Sequence, residues 1–228
     1  MAGQYGGIDT IESTAAPIPT VVLSQPMLRI ENFLDSEQVN ALLGRVLDLK
    51  DVFVPSEIAT DVPNYRRSWV VYDLGNARTE IVPMILACVP MLRQVFGVPD
   101  GEPSLIEAQL TVSDDGDFFK VHTDCGSPET DGRLVSFVYY FSSEQAAFTG
   151  GDLILYDSPV SAPSLLASTR HMVPPTRNSI VFFRSTVWHE VTPVVNPSGQ
   201  FGDGRFTVNG WLHWGPITAA QKTQLRKS

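Results

Sequence analysis

Residues 117–142, DFFKVHTDCGSPETDGRLVSFVYYFS, decide the fold. Two runs rich in aromatic and β-branched residues flank a segment of Gly, Ser, Pro and Asp, the pattern of strands joined through turn-formers. Working outward, the same pattern recurs in PSLIEAQLTVS (103–113), GDLILYDS (151–158), HMVPP (171–175), SIVFFRS (179–185), HEVTPVV (189–195) and RFTVNGWLHW (205–214). Turn-forming stretches such as SDDGD (113–117), SPETDG (127–132) and NPSGQFGDG (196–204) separate the runs. Many short strands at such spacing predict a mainly β sandwich or barrel with helices packed outside.

Upstream of Pro99 the period is helical. EQVNALLGRVLDL (37–49) repeats Val39, Leu42, Leu43, Val46 and Leu47 on one face, with Asp35 or Ser36 as its cap. A second helix is expected over about 79–96, with Pro83 in its early turns and Pro90 kinking or splitting it. VVLSQPMLRIENFL (21–34) reads as one or two short strands and RRSWVVYDL (66–74) as a strand, with 51–65 irregular. The expected organisation is a flexible N-terminal arm over 1–20, one domain over 21–220 and a C-terminal tail over 217–228. Within the domain, helical and strand support spans about 21–100 and a β core about 101–216, because the later strands need the early helices to cover a sheet face.

The chain has 228 residues, 43% hydrophobic, enough for one packed core. Its formal net charge of -9 argues against nucleic acid or an anionic membrane as partner. There is no apolar run of about 18 residues, and the first residues lack the basic and apolar regions of a secretory signal. Cys88 and Cys125 are the only cysteines and form no C-x-x-C pair, so the expected compartment is the cytoplasm. The sequence leaves the oligomeric state open.

The chain has 4 histidines: His122, His171, His189 and His213. His122 and Asp124 stand two apart, so in extended backbone they face the same side. With His189 from a later strand they make two imidazoles and one carboxylate, a facial set that leaves positions open on octahedral iron(II). Spacing alone favours the other reading, histidines that merely cap or bridge polar groups. Asp114, Asp115 and Asp117 read as a solvated turn. Arg205 opens the last strand and shares a face with Thr207, Asn209 and Trp211, where its fork suits a carboxylate, or it is a strand-edge surface arginine.

Taken together, DGDFFKVHTD, RLVSFVYYFS, TGGDLILYD, NSIVFFRSTVWHEVTPV and RFTVNGWLHW, in that order, resemble the prolyl-hydroxylase-like branch of the iron(II)/2-oxoglutarate oxygenases. The resemblance implies a double-stranded β-helix, or jelly roll, and the cofactors Fe(II), 2-oxoglutarate and dioxygen. It places His122, Asp124 and His189 on the metal-ligand and catalytic positions. It puts Arg205 and Tyr140 on the distal carboxylate of 2-oxoglutarate, with Asn209 and Trp211 lining the cosubstrate pocket. Alternation alone does not choose between Tyr139 and Tyr140, since a one-residue slip exchanges faces; the resemblance favours Tyr140. The sequence departs from some members at Val112, where they carry a tyrosine, and in the longer stretch between His189 and Arg205. Asp124 is retained, which favours hydroxylation over halogenation.

The implied reaction is hydroxylation of an unactivated C–H bond, with release of succinate and CO2. Its substrate is a prolyl residue of a peptide or protein, or alternatively a free amino acid or small metabolite. Arg66, Arg67 and Arg133 are candidates to meet an acidic group on it. The segment 158–178 is a candidate rim or lid, with His171 and His213 read as ordinary polar residues. Two other classes stay open: a cupin-like metal-dependent isomerase, against which the missing His-x-His argues, and a non-catalytic binding sandwich.

Overall fold

The computed structural model describes residues 20–24, 27–56, 64–157 and 169–217. The expected arm before residue 20, the tail beyond 217 and residues 158–168 of the expected rim lie outside the described residues. The strands are β1 (Thr20–Ser24), β2 (Met27–Glu31), β3 (Val54–Pro55), β4 (Arg66–Arg67), β5 (Trp69–Val71), β6 (Leu105–Ser113), β7 (Phe118–His122) and β8 (Arg133–Phe141). They continue with β9 (Thr149–Gly150), β10 (Leu153–Tyr156), β11 (Arg170–Val173), β12 (Ser179–Arg184), β13 (His189–Val191), β14 (Val194–Val195) and β15 (Arg205–His213). An eight-stranded sheet runs β1-β2-β12-β8-β15-β6-β5-β3, and a five-stranded sheet runs β11-β10-β13-β7-β4. All pairings are antiparallel, and a short β9–β14 ladder stands apart. The result is the expected jelly-roll arrangement.

Alternation along the central strands explains why the large sheet is apolar on both faces. Phe137, Tyr139 and Phe141 of β8, with Phe182 of β12 and Phe206 and Val208 of β15, face the helices. Tyr140, Val181 and Phe183 face the small sheet and meet Leu153, Leu155 and Val173. The helical layer is α1 (Ser36–Asp48), α2 (Ala77–Ala87) and α3 (Val89–Phe96). α1 starts at a capping box: Gln38 N–H donates to Asp35 Oδ1 at 2.8 Å, and Asp35 N–H donates to Gln38 Oε1 at 3.1 Å. Val39, Leu42 and Val46 of α1, with Ile81, Ile85, Val89 and Leu92 of α2 and α3, are buried against the large sheet.

The expected second helix is two helices bent by 48°. Pro90 sits in the first positions of α3, where its missing N–H breaks no bond. α2 begins earlier than anticipated, so Pro83 lies inside it rather than in its opening turn. No single described helix is long and apolar enough to cross a membrane.

Residues 66–74 are not one strand. β4 pairs with β7 in the small sheet, and β5 pairs with β6 in the large one. Buried Ser68 is the crossing point: its hydroxyl accepts from Arg66 Nε at 2.9 Å and donates to Ser56 Oγ at 3.0 Å. This switch carries Arg66 into the space between the sheets.

Candidate active site

The cavity between the sheets is lined by His122, Asp124, His189, Arg66, Arg205 and the polar face of β6 and β15, with Phe119, Leu153, Phe183 and Val191 as apolar wall. β7 ends on His122 and β13 begins on His189, and the two residues are direct cross-strand partners. Asp124 lies just past β7, fixed by its backbone N–H donating to Ser185 O at 3.0 Å. Its carboxylate faces both rings, with Oδ1 3.6 Å from His122 Nε2 and Oδ2 3.4 Å from His189 Nε2. The three ligand atoms lie within 4.8 Å of one another.

The surroundings fix the orientation of these donors. His122 Nδ1 sits 2.7 Å from Lys120 O and His189 Nδ1 2.9 Å from Val187 O. A carbonyl only accepts, so each Nδ1 carries the proton and each Nε2 presents a lone pair inward. Phe119 stacks on His122 at 3.6 Å and Phe183 meets His189 edge-on at 4.8 Å. Ser136 Oγ donates to Asp124 Oδ2 at 2.6 Å, and Trp211 also hydrogen-bonds this carboxylate. Burial and the neighbouring His189 push the His122 pKa down to about 3. Burial alone would raise the Asp124 pKa; the facing histidines and its hydrogen bonds outweigh that and hold it below the usual carboxylate range. His122 is therefore neutral and Asp124 ionised, the forms in which they bind a metal. Two lone pairs and one anion on one side of a cavity fit a divalent metal with open positions.

Arg205 is 3% exposed. Its Nε donates to Gly151 O at 2.8 Å, while Nη2 is buried without an acceptor among the described residues. The guanidinium lies 5.1 Å from the Tyr140 ring centre, and the Tyr140 hydroxyl is buried beside it without a well-formed hydrogen bond. Burial raises the Tyr140 pKa, so the group is a neutral donor. A buried cation and an adjacent hydroxyl, each with unused donor capacity, are the complement of a carboxylate. Gly151 makes this possible. Its φ of +68° suits glycine, and a Cβ there would meet Arg205 Cδ at 2.5 Å.

Arg205, Thr207, Asn209 and Trp211 all line the cavity. Asn209 belongs to its floor: Thr207 Oγ1 donates to Asn209 Oδ1 at 2.6 Å, and Asn209 Nδ2 donates to Thr111 Oγ1 at 3.2 Å. Trp211 stands between Asp124 and the Arg133 guanidinium, which lies 3.9 Å from its ring centre.

Two other expectations change, those for Val112 and Asp117. Val112 is not the position that faces the site. It packs toward the helices, whereas Gln109, Thr111 and Ser113 present the β6 side chains to the cavity. Asp117 is not solvated; it is 1% exposed, paired with Arg67 Nε at 2.6 Å, and accepts Asp114 N–H at 2.9 Å. Burial and Asp124 push the Cys125 thiol up, away from a nucleophilic thiolate. His213 is buried against Glu107 Oε1 at 2.8 Å, and His171 lies on β11, outside the cavity lining. Sequence reasoning overlooked Ser136 and Gly151. Ser136 shares the parity of Tyr140 on one strand, and the Gly150–Gly151 pair was a signal for positive φ.

Comparison with known proteins bears on this cavity. Residues 108–213 match the family model described as the 2OG-Fe(II) oxygenase superfamily. The chain is 34% identical over 192 residues to an uncharacterized PKHD-type hydroxylase of Synechocystis sp., covering 80% of this chain; it spans 61% of that curated relative's length. In fold it is similar to a prolyl-4-hydroxylase of Pseudomonas putida, with a TM-score of 0.59 and 24% identity, covering 84% of this chain and 94% of that one. It is also similar to a prolyl hydroxylase of Trichoplax adhaerens bound to a peptide fragment of the hypoxia inducible factor oxygen degradation domain. There the TM-score is 0.60 and identity 21%, covering 90% of this chain and 88% of that one.

Proposed function

We propose, from the match of its residues 108–213 to the 2OG-Fe(II) oxygenase superfamily model, that this protein is an iron(II)- and 2-oxoglutarate-dependent dioxygenase that hydroxylates an unactivated C–H bond. The observation that carries this reading is the pairing of two features in one cavity. Two Nε2 atoms and a carboxylate converge at one place, and a buried guanidinium whose Nη2 has no acceptor among the described residues lines the same cavity. Iron(II) with 2-oxoglutarate supplies the oxygen chemistry, in which the cosubstrate is oxidised to succinate and CO2 as one oxygen atom enters the substrate.

In this reading His122, Asp124 and His189 hold the metal, and Ser136 and Trp211 keep the Asp124 carboxylate aimed and ionised. Arg205 and Tyr140 bind the distal carboxylate of 2-oxoglutarate, and Asn209 shapes the floor. Phe183, Leu153 and Val191 exclude water from the interior. None of these side chains has to act as a general base. The substrate is read as a prolyl residue in a peptide or protein, supported by the PKHD-type hydroxylase name of the relative and the fold shared with prolyl hydroxylases.

The test is succinate formation from 2-oxoglutarate with and without iron(II), together with mass analysis of proline-containing peptides for gain of one oxygen atom. Iron-dependent succinate and an oxidised prolyl residue are expected. Succinate formation that ignores iron, or its absence under all conditions, would refute the oxygenase reading. Oxidation confined to non-prolyl substrates would refute the prolyl part alone.

A further inference from the structure

We propose that Arg66 is the substrate-anion subsite of this cavity, so that the substrate presents a carboxylate to Arg66 while the reacting carbon faces the metal side. This deepens the oxygenase reading above and rests on it.

Arg66 is the second guanidinium lining the cavity, and it enters from the small sheet, whereas Arg205 belongs to the large one. It is held in place. Nε donates to Ser68 Oγ, which is itself tied to Ser56, and the guanidinium lies 4.8 Å from the centre of the Phe119 ring. That same ring stacks on His122, which sets Arg66 beside the metal side. The neighbouring arginines are neutralised by carboxylates: Arg67 by Asp117 and Arg133 by Glu107. Those two pairs exclude Arg67 and Arg133 as readers of a substrate anion. Among the described residues Arg66 makes no ion pair, and its one side-chain hydrogen bond is that from Nε to Ser68 Oγ. Burial lowers its pKa, with Tyr72 and Asp124 working against that, so the charge sits in a partly desolvated place that a bound anion would relieve.

The charge inventory points the same way. The ionised side chains lining the cavity are one carboxylate, Asp124, and two guanidiniums, Arg66 and Arg205. A divalent metal would raise the local charge by two and the two carboxylates of 2-oxoglutarate would lower it by two, which leaves the lining groups with one net positive charge. A substrate bearing one carboxylate closes that balance. On a chain of net charge -9, a cavity cation that makes no ion pair among the described residues is also the element that draws in an anion.

The test uses the full chain loaded with cobalt(II) and saturating 2-oxoglutarate under argon, so that nothing turns over. Binding of three acid–amide pairs is measured by ligand-observed NMR. The pairs are L-proline against L-prolinamide, N-acetyl-L-proline against its amide, and acetylated, amidated Gly-Pro-Glu against Gly-Pro-Gln. At least one acid should bind about tenfold or more tightly than its amide, the size expected of a charge-assisted contact. Arg66→Gln should erase that preference, Arg66→Lys should keep part of it, and 2-oxoglutarate affinity should stay within about twofold. Equal binding of acids and amides, unchanged acid binding by Arg66→Gln, or no acid binding to the wild type would overturn the assignment. So would loss of 2-oxoglutarate from Arg66→Gln, which would make Arg66 part of the cosubstrate anchor. A wild type that does not bind 2-oxoglutarate at all would instead mark failure of the oxygenase reading.

Discussion

Replacing Arg205 by alanine should separate cosubstrate binding from metal binding. In the wild type Nε is committed to Gly151 O at 2.8 Å, and Nη2 is buried with no acceptor among the described residues. On the proposed assignment, truncation leaves the distal carboxylate of 2-oxoglutarate without its cation in a site where the arginine side chain is 3% exposed. Removing one partner of such a pair costs roughly 2–5 kcal/mol, which is on the order of 30-fold to several-thousand-fold in Kd. The Gly151 carbonyl also loses its donor, so folding stability should fall by roughly 1–3 kcal/mol. Arg205→Lys should do less damage without being silent, because one ammonium cannot reproduce a fork that serves Gly151 and a ligand together. The assay is calorimetric titration of 2-oxoglutarate into the anaerobic iron(II) protein, with iron affinity and a thermal melt measured alongside. Iron affinity should hold. Wild-type 2-oxoglutarate affinity in Arg205→Ala would refute the reasoning, and Arg66, the other cation of the cavity, would be the anchor to examine next.

Two further substitutions probe the supports of these groups. Gly151→Ala puts a Cβ 2.5 Å from Arg205 Cδ and 2.9 Å from Val194 Cγ2 at a φ of +68°. It should destabilise the fold by roughly 2–4 kcal/mol and weaken 2-oxoglutarate binding in step with Arg205 displacement, read by melting and by the same titration. Ser136→Ala removes the 2.6 Å hydrogen bond to Asp124 Oδ2 and should weaken iron by roughly 10- to 100-fold, with the melting temperature little changed. Iron affinity equal to wild type would show that Ser136 does not support the carboxylate.

The parts of this site legible in the sequence were those that depend on local periodicity. The two-residue spacing of His122 and Asp124 pointed to one site, although Asp124 lies just past β7 and is held by Ser185 O, and the parity of Arg205, Thr207, Asn209 and Trp211 put them on one face. What stayed hidden depends on which strand pairs with which. The β6 strand is buried on both faces, so alternation did not reveal that Val112 turns to the helices and Thr111 to the cavity. RRSWVV looks continuous, yet Ser68 passes the chain from one sheet to the other, and only that crossing brings Arg66 beside Phe119. Asp117 looked like a turn carboxylate because its partner Arg67 is far away in sequence and meets it only through the β4–β7 pairing. The choice of Tyr140 over Tyr139 rested on family resemblance. In the fold Tyr140 lies beside Arg205, and Tyr139 turns to the helical side, with its hydroxyl donating to Asn178 Oδ1 at 3.1 Å.

The most direct test of the central claim is the visible absorbance that appears when 2-oxoglutarate chelates protein-bound iron(II), recorded without oxygen for the wild type and for His122→Ala and His189→Ala. The wild type should develop the metal-to-ligand charge-transfer band to saturation at one equivalent of iron, and both variants should lose it while keeping their fold by circular dichroism. No band in the wild type, or a band of wild-type intensity in either variant, would contradict the assignment of His122, Asp124 and His189 as the metal centre.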